Sequence, residues 1–122
     1  MSETLYDRLG GQTGIDKLVN RIVDLHLQND VAGPRYRALT EEATDHAREK
    51  VKEFLAAGSG GPVEYTGRSM LETHTGMNVS AAEYVAVVDD IMQAMNEMEY
   101  PAPVRDEVLG IAYSLKEEII HK

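Results

Sequence analysis

The chain has 122 residues, a formal net charge of −9 and no cysteine, and its hydrophobic and charged residues make up 43% and 27%. This length and balance fit one globular domain spanning residues 1–122. The acidic charge argues against nucleic acids and anionic membranes as partners, and the absence of cysteine excludes disulfides, iron–sulfur clusters and thiolate nucleophiles. Because no apolar run approaches the roughly twenty residues of a membrane span and no secretory signal pattern opens the chain, we expect a cytoplasmic protein.

The N-terminal part of the chain predicts two helices. Thr4 and Asp7 bracket a short helix that ends at a pair of glycines. Thr13 and Asp16 have the spacing of a capping pair, so we expect them to open the second helix. The apolar residues of that helix recur at the period of one buried face: Ile15, Leu18, Val19, Ile22 and Val23. We expect residues 29–34 to end it.

A third helix is expected to follow Thr40 and to run to Gly58. Its predicted inward face combines apolar residues with a histidine and a lysine: Ala43, His46, Ala47, Lys50, Val51, Phe54 and Leu55. A charged lysine directed at a core is costly unless something there uses it. Lys50 therefore has two interpretations. Either it lies at the edge of this face and extends its ammonium group to water, or it acts at a site inside the protein.

The C-terminal half begins with the strongest helix breaker of the sequence, the glycine- and proline-rich residues 58–62. A short helix is expected over residues 70–75. Ser80 and Glu83 form a capping box for the next helix, whose predicted core face is Tyr84, Val87, Val88, Ile91, Met95 and Met98. Pro103 suits the first turn of a last helix that packs through Val104, Val108, Ile111, Ala112, Leu115 and Ile119. The prediction is an all-α fold of four substantial helices and two short ones.

The histidine side chains are the candidates for a ligand or catalytic role. The apolar face of the short helix carries His74, and its neighbours there are Met70, Leu71 and Met77. By pattern alone, His74 is either a hydrogen-bonded core residue or a ligand. His26 extends the buried face of the second helix and is expected to be a core residue, whereas His121 is expected to be solvated. Motifs for phosphate binding, zinc proteolysis and serine hydrolysis are absent, so a cofactor would have to supply the chemistry.

Several segments resemble group I truncated haemoglobins in their order and spacing: residues 4–11 (TLYDRLGG), 60–62 (GGP), 65–70 (YTGRSM) and 72–79 (ETHTGMNV). The likeness covers almost the whole chain and implies a globin-like two-on-two helical sandwich. It also implies haem b as cofactor, with His74 as the proximal ligand of the iron. An axial imidazole with its other nitrogen held, inside an apolar pocket, is what haem iron requires. The further residues assigned to the cofactor are Tyr36, Val51, Phe54, Arg68, Met70, Leu71, Met77, Val79, Tyr84, Val87 and Leu115.

The chain departs from the family's pattern on the distal side of the expected haem. The usual distal tyrosine is replaced by Val23, and the usual polar distal residue by Ala47. The aromatic pair that wedges against the haem is replaced by Arg35 and Tyr36. The hydrogen-bond donors that hold bound oxygen in such proteins are therefore missing from these positions or moved.

The remaining distal candidate is Lys50, which the resemblance places facing the iron, where a histidine or lysine can occur. Coordination needs the neutral amine, and burial favours that form. Lys50 is thus a candidate sixth ligand, or a donor to a bound ligand or a propionate, and His46 is the alternative. These features predict a protein that binds oxygen or nitric oxide, or one that does redox chemistry with a reductase as partner. A nitric oxide dioxygenase-like enzyme and a haem-free helical binding or sensor module stay open.

Overall fold

The computed structural model describes residues 3–122, and within them the fold is built from helices. These are α1 (Leu5–Arg8), α2 (Gly11–Gln28), α3 (Gly33–Arg37), α4 (Glu41–Gly58), α5 (Met70–His74), α6 (Ala81–Glu97) and α7 (Ala102–Ile119). No strand occurs in this range, apart from one isolated parallel bridge between Val79 and Ile120. The all-α prediction and the four long helices are confirmed. No helix in the described range is long and apolar enough to span a bilayer.

Local capping explains where several helices begin. The hydroxyl of Thr4 accepts from the amide of Asp7, and the hydroxyl of Ser80 accepts from the amide of Glu83, each over 3.1 Å. In both cases the acidic side chain bonds back to the amide of the capping residue. Each pair satisfies amides that have no partner inside the helix, so the predicted capping box of Ser80 and Glu83 is confirmed, and the short helix begins after Thr4 as expected. Ser69 caps α5 in the same way.

The start of α2 differs from the prediction. The helix begins at Gly11, and its N-cap is Gly10 rather than a residue of the expected pair Thr13 and Asp16. Gly10 has a φ of +99°, a left-handed conformation that a glycine adopts without the cost a Cβ would add. The chain thus turns from α1 into α2 with no side-chain cap, and Thr13 lies exposed inside the helix.

A third short helix, α3, follows α2 where the sequence predicted only a break. The side-chain oxygen of Asn29 accepts from the amides of Val31 and Ala32, over 2.8 and 3.0 Å, which closes a tight turn. Pro34 then lies in the first turn of α3, where its missing N–H costs no hydrogen bond. The expected count of two short helices was therefore wrong, because this turn occupies only residues 29–32.

The core centres on α2, which packs against α4, α6, α3 and α1. Its predicted face is confirmed, because all of its members are buried: Ile15, Leu18, Val19, Ile22 and Val23. Each such side chain contributes about 1.5–3 kcal/mol through its removal from water. His26 is also buried and hydrogen-bonded to Asp90, as expected for a core histidine.

The last two residues of the chain form backbone hydrogen bonds with the segment that follows α5. The amide of His121 donates to the carbonyl of Val79 over 2.8 Å, and the amide of Gly76 donates to the carbonyl of Lys122 over 3.0 Å. The side chain of His121 is exposed, as predicted, and its Nδ1 lies 3.2 Å from the side-chain oxygen of Asn78. These bonds fix α5 and its exit against the end of α7, which α5 also contacts.

Candidate functional site

The imidazole of His74 is oriented by its own helix. His74 is the last residue of α5, and its Nδ1 lies 2.7 Å from the carbonyl oxygen of Met70, one turn earlier. A carbonyl oxygen only accepts, so Nδ1 carries the proton and donates. In the neutral ring, the other nitrogen, Nε2, then keeps its lone pair. This arrangement fixes the tautomer in which a histidine can bind a metal through Nε2.

Several of the apolar side chains around His74 are exposed, so they do not form a closed core. Leu71 is 44% exposed and Met77 is 37% exposed, while Met70 is half-buried and Val79 is buried. Large apolar side chains left in water on one side of a protein mark a surface that a ligand or partner covers. The neighbourhood of His74 thus combines an imidazole of fixed orientation with exposed apolar surface.

The α4 face was predicted to point inward, and that prediction was wrong in part. The buried residues of α4 are Thr44 and Ala56, through which the helix lies on the protein core, whereas Val51 is 42% exposed and His46 is exposed. Phe54 is half-buried, and its ring lies edge-on to Tyr65 with the ring centres 5.2 Å apart. Phe54 of the predicted face therefore packs on the loop that leads into α5, whereas Leu55 packs against the core.

Lys50 is held by that loop. Its Nζ donates to the hydroxyl of Thr66 over 3.0 Å and lies 3.8 Å from a carboxylate oxygen of Glu53. The backbone amide and the hydroxyl of Thr66 both donate to the same carboxylate. These bonds, with the nearby ammonium group, lower the pKa of Glu53. The side chain of Lys50 is 33% exposed, so its ammonium group has both a partner and access to water.

Two of the predicted distal positions, Val23 and Ala47, carry no donor in their side chains. Val23 is buried in the core and Ala47 is half-buried. Arg68 is exposed, and its carbonyl oxygen accepts from the hydroxyl of Tyr65 over 2.7 Å. Lys50 is a cation of α4 that bonds the loop before α5.

Helices α6 and α7 carry three further residues that the sequence assigned to the cofactor. Tyr84, Val87 and Leu115 are all half-buried. The hydroxyl of Tyr84 donates to the carbonyl of Ala112, which ties the ring to α7, and burial raises the pKa of this phenol. All three lie on the helices that follow His74 in the chain.

Arg35 and Tyr36 have contacts that the sequence did not predict. The guanidinium of Arg35 donates to both carboxylate oxygens of Glu83, the residue that also completes the α6 cap. Arg35 and the amide of Ser80 together lower the pKa of Glu83 to about 2. Tyr36 is half-buried, with its ring centre 4.9 Å from that of His26. No local pattern links residues so distant in the chain.

Comparison with known proteins identifies the family. The Bacterial-like globin family model matches residues 4–121. A group 1 truncated haemoglobin from Synechocystis is 31% identical over 113 residues, which cover 89% of this chain and 89% of the relative. One from Tetrahymena pyriformis is 24% identical over 121 residues, which cover 98% of this chain and 97% of the relative. The chain belongs to the bacterial-like globins, as a truncated haemoglobin.

The solved structures of truncated haemoglobins agree with this fold. The Fe(III) form from Tetrahymena pyriformis superposes with a TM-score of 0.91 at 23% identity, covering 98% of this chain and 100% of that one. The 2/2 haemoglobin of Synechococcus, solved in the cyanomet state with covalently attached haem, gives a TM-score of 0.83 at 22% identity, with 95% of each chain covered. The predicted two-on-two globin fold is confirmed.

Family membership implies a haem cofactor and the binding of diatomic gases at its iron. The residues present fit that cofactor. The Nε2 atom of His74 is free for a metal, because Nδ1 is bonded to Met70. The exposed apolar side chains of Val51, Leu71 and Met77 offer the kind of surface that a large apolar macrocycle covers.

Proposed function

We propose that this protein holds haem b through Nε2 of His74 and binds diatomic ligands such as oxygen or nitric oxide at the iron. Bound haem supplies the metal that takes up the gas and exchanges electrons. The observation that carries the proposal is the 2.7 Å bond from His74 to the Met70 carbonyl, since it fixes the metal-binding tautomer. The proposed haem contacts are Tyr36, Val51, Phe54, Arg68, Met70, Leu71, Met77, Val79, Tyr84, Val87 and Leu115.

The proposal for the distal side is that Lys50 is the sixth ligand, or the donor to a bound ligand or propionate. Val23 and Ala47 offer no donor, and Lys50 lies on the same helix as Ala47. To reach an iron, the amine has to leave Thr66 and Glu53 and lose its proton. A ligand that must detach first favours redox or slow, displacement-gated chemistry with a reductase as partner, and His46 is the alternative donor.

Titration of the purified chain with haem tests this function. We expect a Soret band that grows linearly and stops at one haem per chain. The His121→Ala variant is the matched control, since its exposed side chain lies at the C-terminus and the substitution should change neither the band nor the stoichiometry. A chain that takes up no haem, or takes it up without saturation, would instead support the haem-free binding or sensor module.

A further inference from the structure

A buried polar network connects α2, α6 and the turn before α3. The Nδ1 of His26 donates to a carboxylate oxygen of Asp90 over 2.7 Å, and the two residues are 4% and 7% exposed. The side-chain amide nitrogen of Asn29 lies 3.1 Å from each of the two carboxylate oxygens. A buried carboxylate is tolerated when donors surround it in this way.

Asn29 connects this network to the start of α3. While its amide nitrogen donates to Asp90, its side-chain oxygen accepts from the amides of Val31 and Ala32. Its backbone carbonyl accepts from the amide of Gly33 over 2.8 Å. A shift of the Asp90 carboxylate would therefore move the side chain that closes the turn. The segment of residues 29–38, which we call the corner, depends on a bond made by α6.

The ring of Tyr36 completes the enclosure of His26. The two ring centres are 4.9 Å apart and the ring planes are inclined by 30°. Burial, with a smaller contribution from the charge of Asp90, raises the pKa of the Tyr36 phenol. The imidazole thus lies between an acid on α6 and an aromatic ring on α3.

We propose that His26, Asp90 and Asn29 form a proton-sensitive lock that holds the corner and Tyr36 against α6, and that protonation of His26 opens it. In the closed lock the imidazole of His26 is neutral, and its single N–H is donated to Asp90. A second proton adds a charge and a second N–H to a side chain that is 4% exposed. The buried surroundings give that charge little solvation.

The charges near His26 and Asp90 support an opening of the lock when His26 is protonated. Burial is the largest influence and lowers the pKa of His26, and the bond and charge of Asp90 oppose it only in part. The cations on neighbouring helices are already engaged, Arg35 with Glu83, Arg37 with the carbonyls of Leu27 and Asn29, and Arg48 with Asn20 and Asp24. In the described part of the chain, Asp90 is the charged side chain that bonds the imidazole.

The sign of the pH dependence follows from the lowered pKa. A histidine whose folded-state pKa is depressed stabilises the fold fully above its unfolded pKa of about 6.5. That stability is lost as the pH falls from about 6.5 through the folded-state pKa. The lock is therefore closed at neutral pH and opens in mild acid. If Tyr36 is a haem contact, opening also loosens one edge of the haem, and this consequence alone rests on the proposed function.

Amide hydrogen exchange on the full chain tests the lock without reference to haem, at about pH 7.5 and about pH 5.5. After correction for intrinsic exchange rates, we expect the protection of residues 31–38 to fall in acid, by up to about tenfold for each pH unit between the two pKa values. The protection of amides in the middle of α7 should fall less between the two pH values. The His26→Gln variant, which keeps an amide donor but does not titrate, should lose this pH dependence, and His121→Gln should keep it.

Two results would overturn the lock: corner protection that does not change with pH in the wild type, or an unchanged pH dependence in His26→Gln. Should His26→Gln fail to fold, nuclear magnetic resonance titration of the wild-type imidazole decides the question. We expect an Nδ1-protonated neutral ring with a midpoint below the ordinary value of about 6.5. A midpoint at or above that value would refute the proposal. If corner protection falls in acid as expected but haem retention does not depend on pH, the lock stands and Tyr36 is not a haem contact.

Discussion

The imidazole Nδ1 of His74 lies 2.7 Å from the carbonyl oxygen of Met70, so the short helix that carries the histidine also selects its tautomer. Helix α5 therefore both carries His74 and orients its imidazole. Its N-terminus is capped by Ser69, and the segment that follows it is bonded to the C-terminal residues of the chain. These bonds restrain the rotation and tilt of the imidazole, as the proposed role of His74 as proximal ligand requires.

The first prediction concerns the sixth ligand. In the ferric haem-loaded protein we expect a low-spin, six-coordinate spectrum at neutral pH, and Lys50→Ala should convert it to a water-bound or five-coordinate form. Acid should have the same effect on the wild type, because a proton competes with the iron for the amine. His46→Ala is the control and should leave the spectrum low-spin. A low-spin spectrum that survives in Lys50→Ala but disappears in His46→Ala would transfer the role to His46.

The contacts of Lys50 predict how the low-spin fraction of the ferric protein can be changed. To coordinate an iron, the amine has to leave the carboxylate of Glu53 and the hydroxyl of Thr66. Glu53→Gln should therefore release the amine more easily and raise the low-spin fraction where the wild type is only partly low-spin, and Thr66→Val should act in the same direction. Absorption spectra of the three ferric proteins measure that fraction. An unchanged fraction, in a protein that still depends on Lys50, would show that the contact with Glu53 and Thr66 is lost once haem is bound.

The ion pair between Arg35 and Glu83 predicts a stability loss in acid. The pKa of Glu83 is lowered to about 2, so its contribution is present above the unfolded value of 4.5 and disappears as the pH falls through about 2. The pair is partly exposed, so the effect should be modest. Glu83→Gln should narrow the difference in denaturant midpoint between neutral and acidic solution. Equal acid sensitivity in the variant and the wild type would contradict this assignment.

The cap of α6 predicts a loss of stability at neutral pH. Ser80→Ala removes the acceptor for the amide of Glu83 and should destabilise the protein by about 1 kcal/mol, within a range of about 0.5–2. Ser114→Ala is a suitable comparison, because Ser114 is exposed within α7 and its hydroxyl bonds the carbonyl of Ile111 on its own helix. Chemical denaturation followed by circular dichroism measures both. Equal stability of the two variants would show that the cap is not needed.

Covalent attachment is the next prediction. The resemblance places Leu115 where some relatives carry a histidine that bonds the haem vinyl group. Leucine has no nucleophilic atom, so haem should extract fully into acidified organic solvent, and the protein mass should match the sequence. Leu115→His provides the positive comparison after reduction. Haem that stays with the wild-type protein, with a corresponding mass increase, would show the prediction to be wrong.

The features that the sequence predicted are those determined by neighbours in the chain. The buried face of α2 follows from helical spacing, and the caps formed by Thr4 and Ser80 bond to residues three positions away. The turn made by Asn29 could have been recognised from its preference for bonding the amides that follow it. The orientation of Lys50 could not, because Thr66 reaches it across a loop. The same holds for His26 and Asp90, which are 64 positions apart.

The most direct test of the account is haem binding by His74→Ala, compared with His46→Ala. His74→Ala should fold with unchanged helical circular dichroism but fail to retain haem through gel filtration, because it lacks the nitrogen proposed to bind the iron. His46→Ala should retain one haem per chain. A His74→Ala protein with full haem occupancy and the wild-type coordination spectrum would contradict the account.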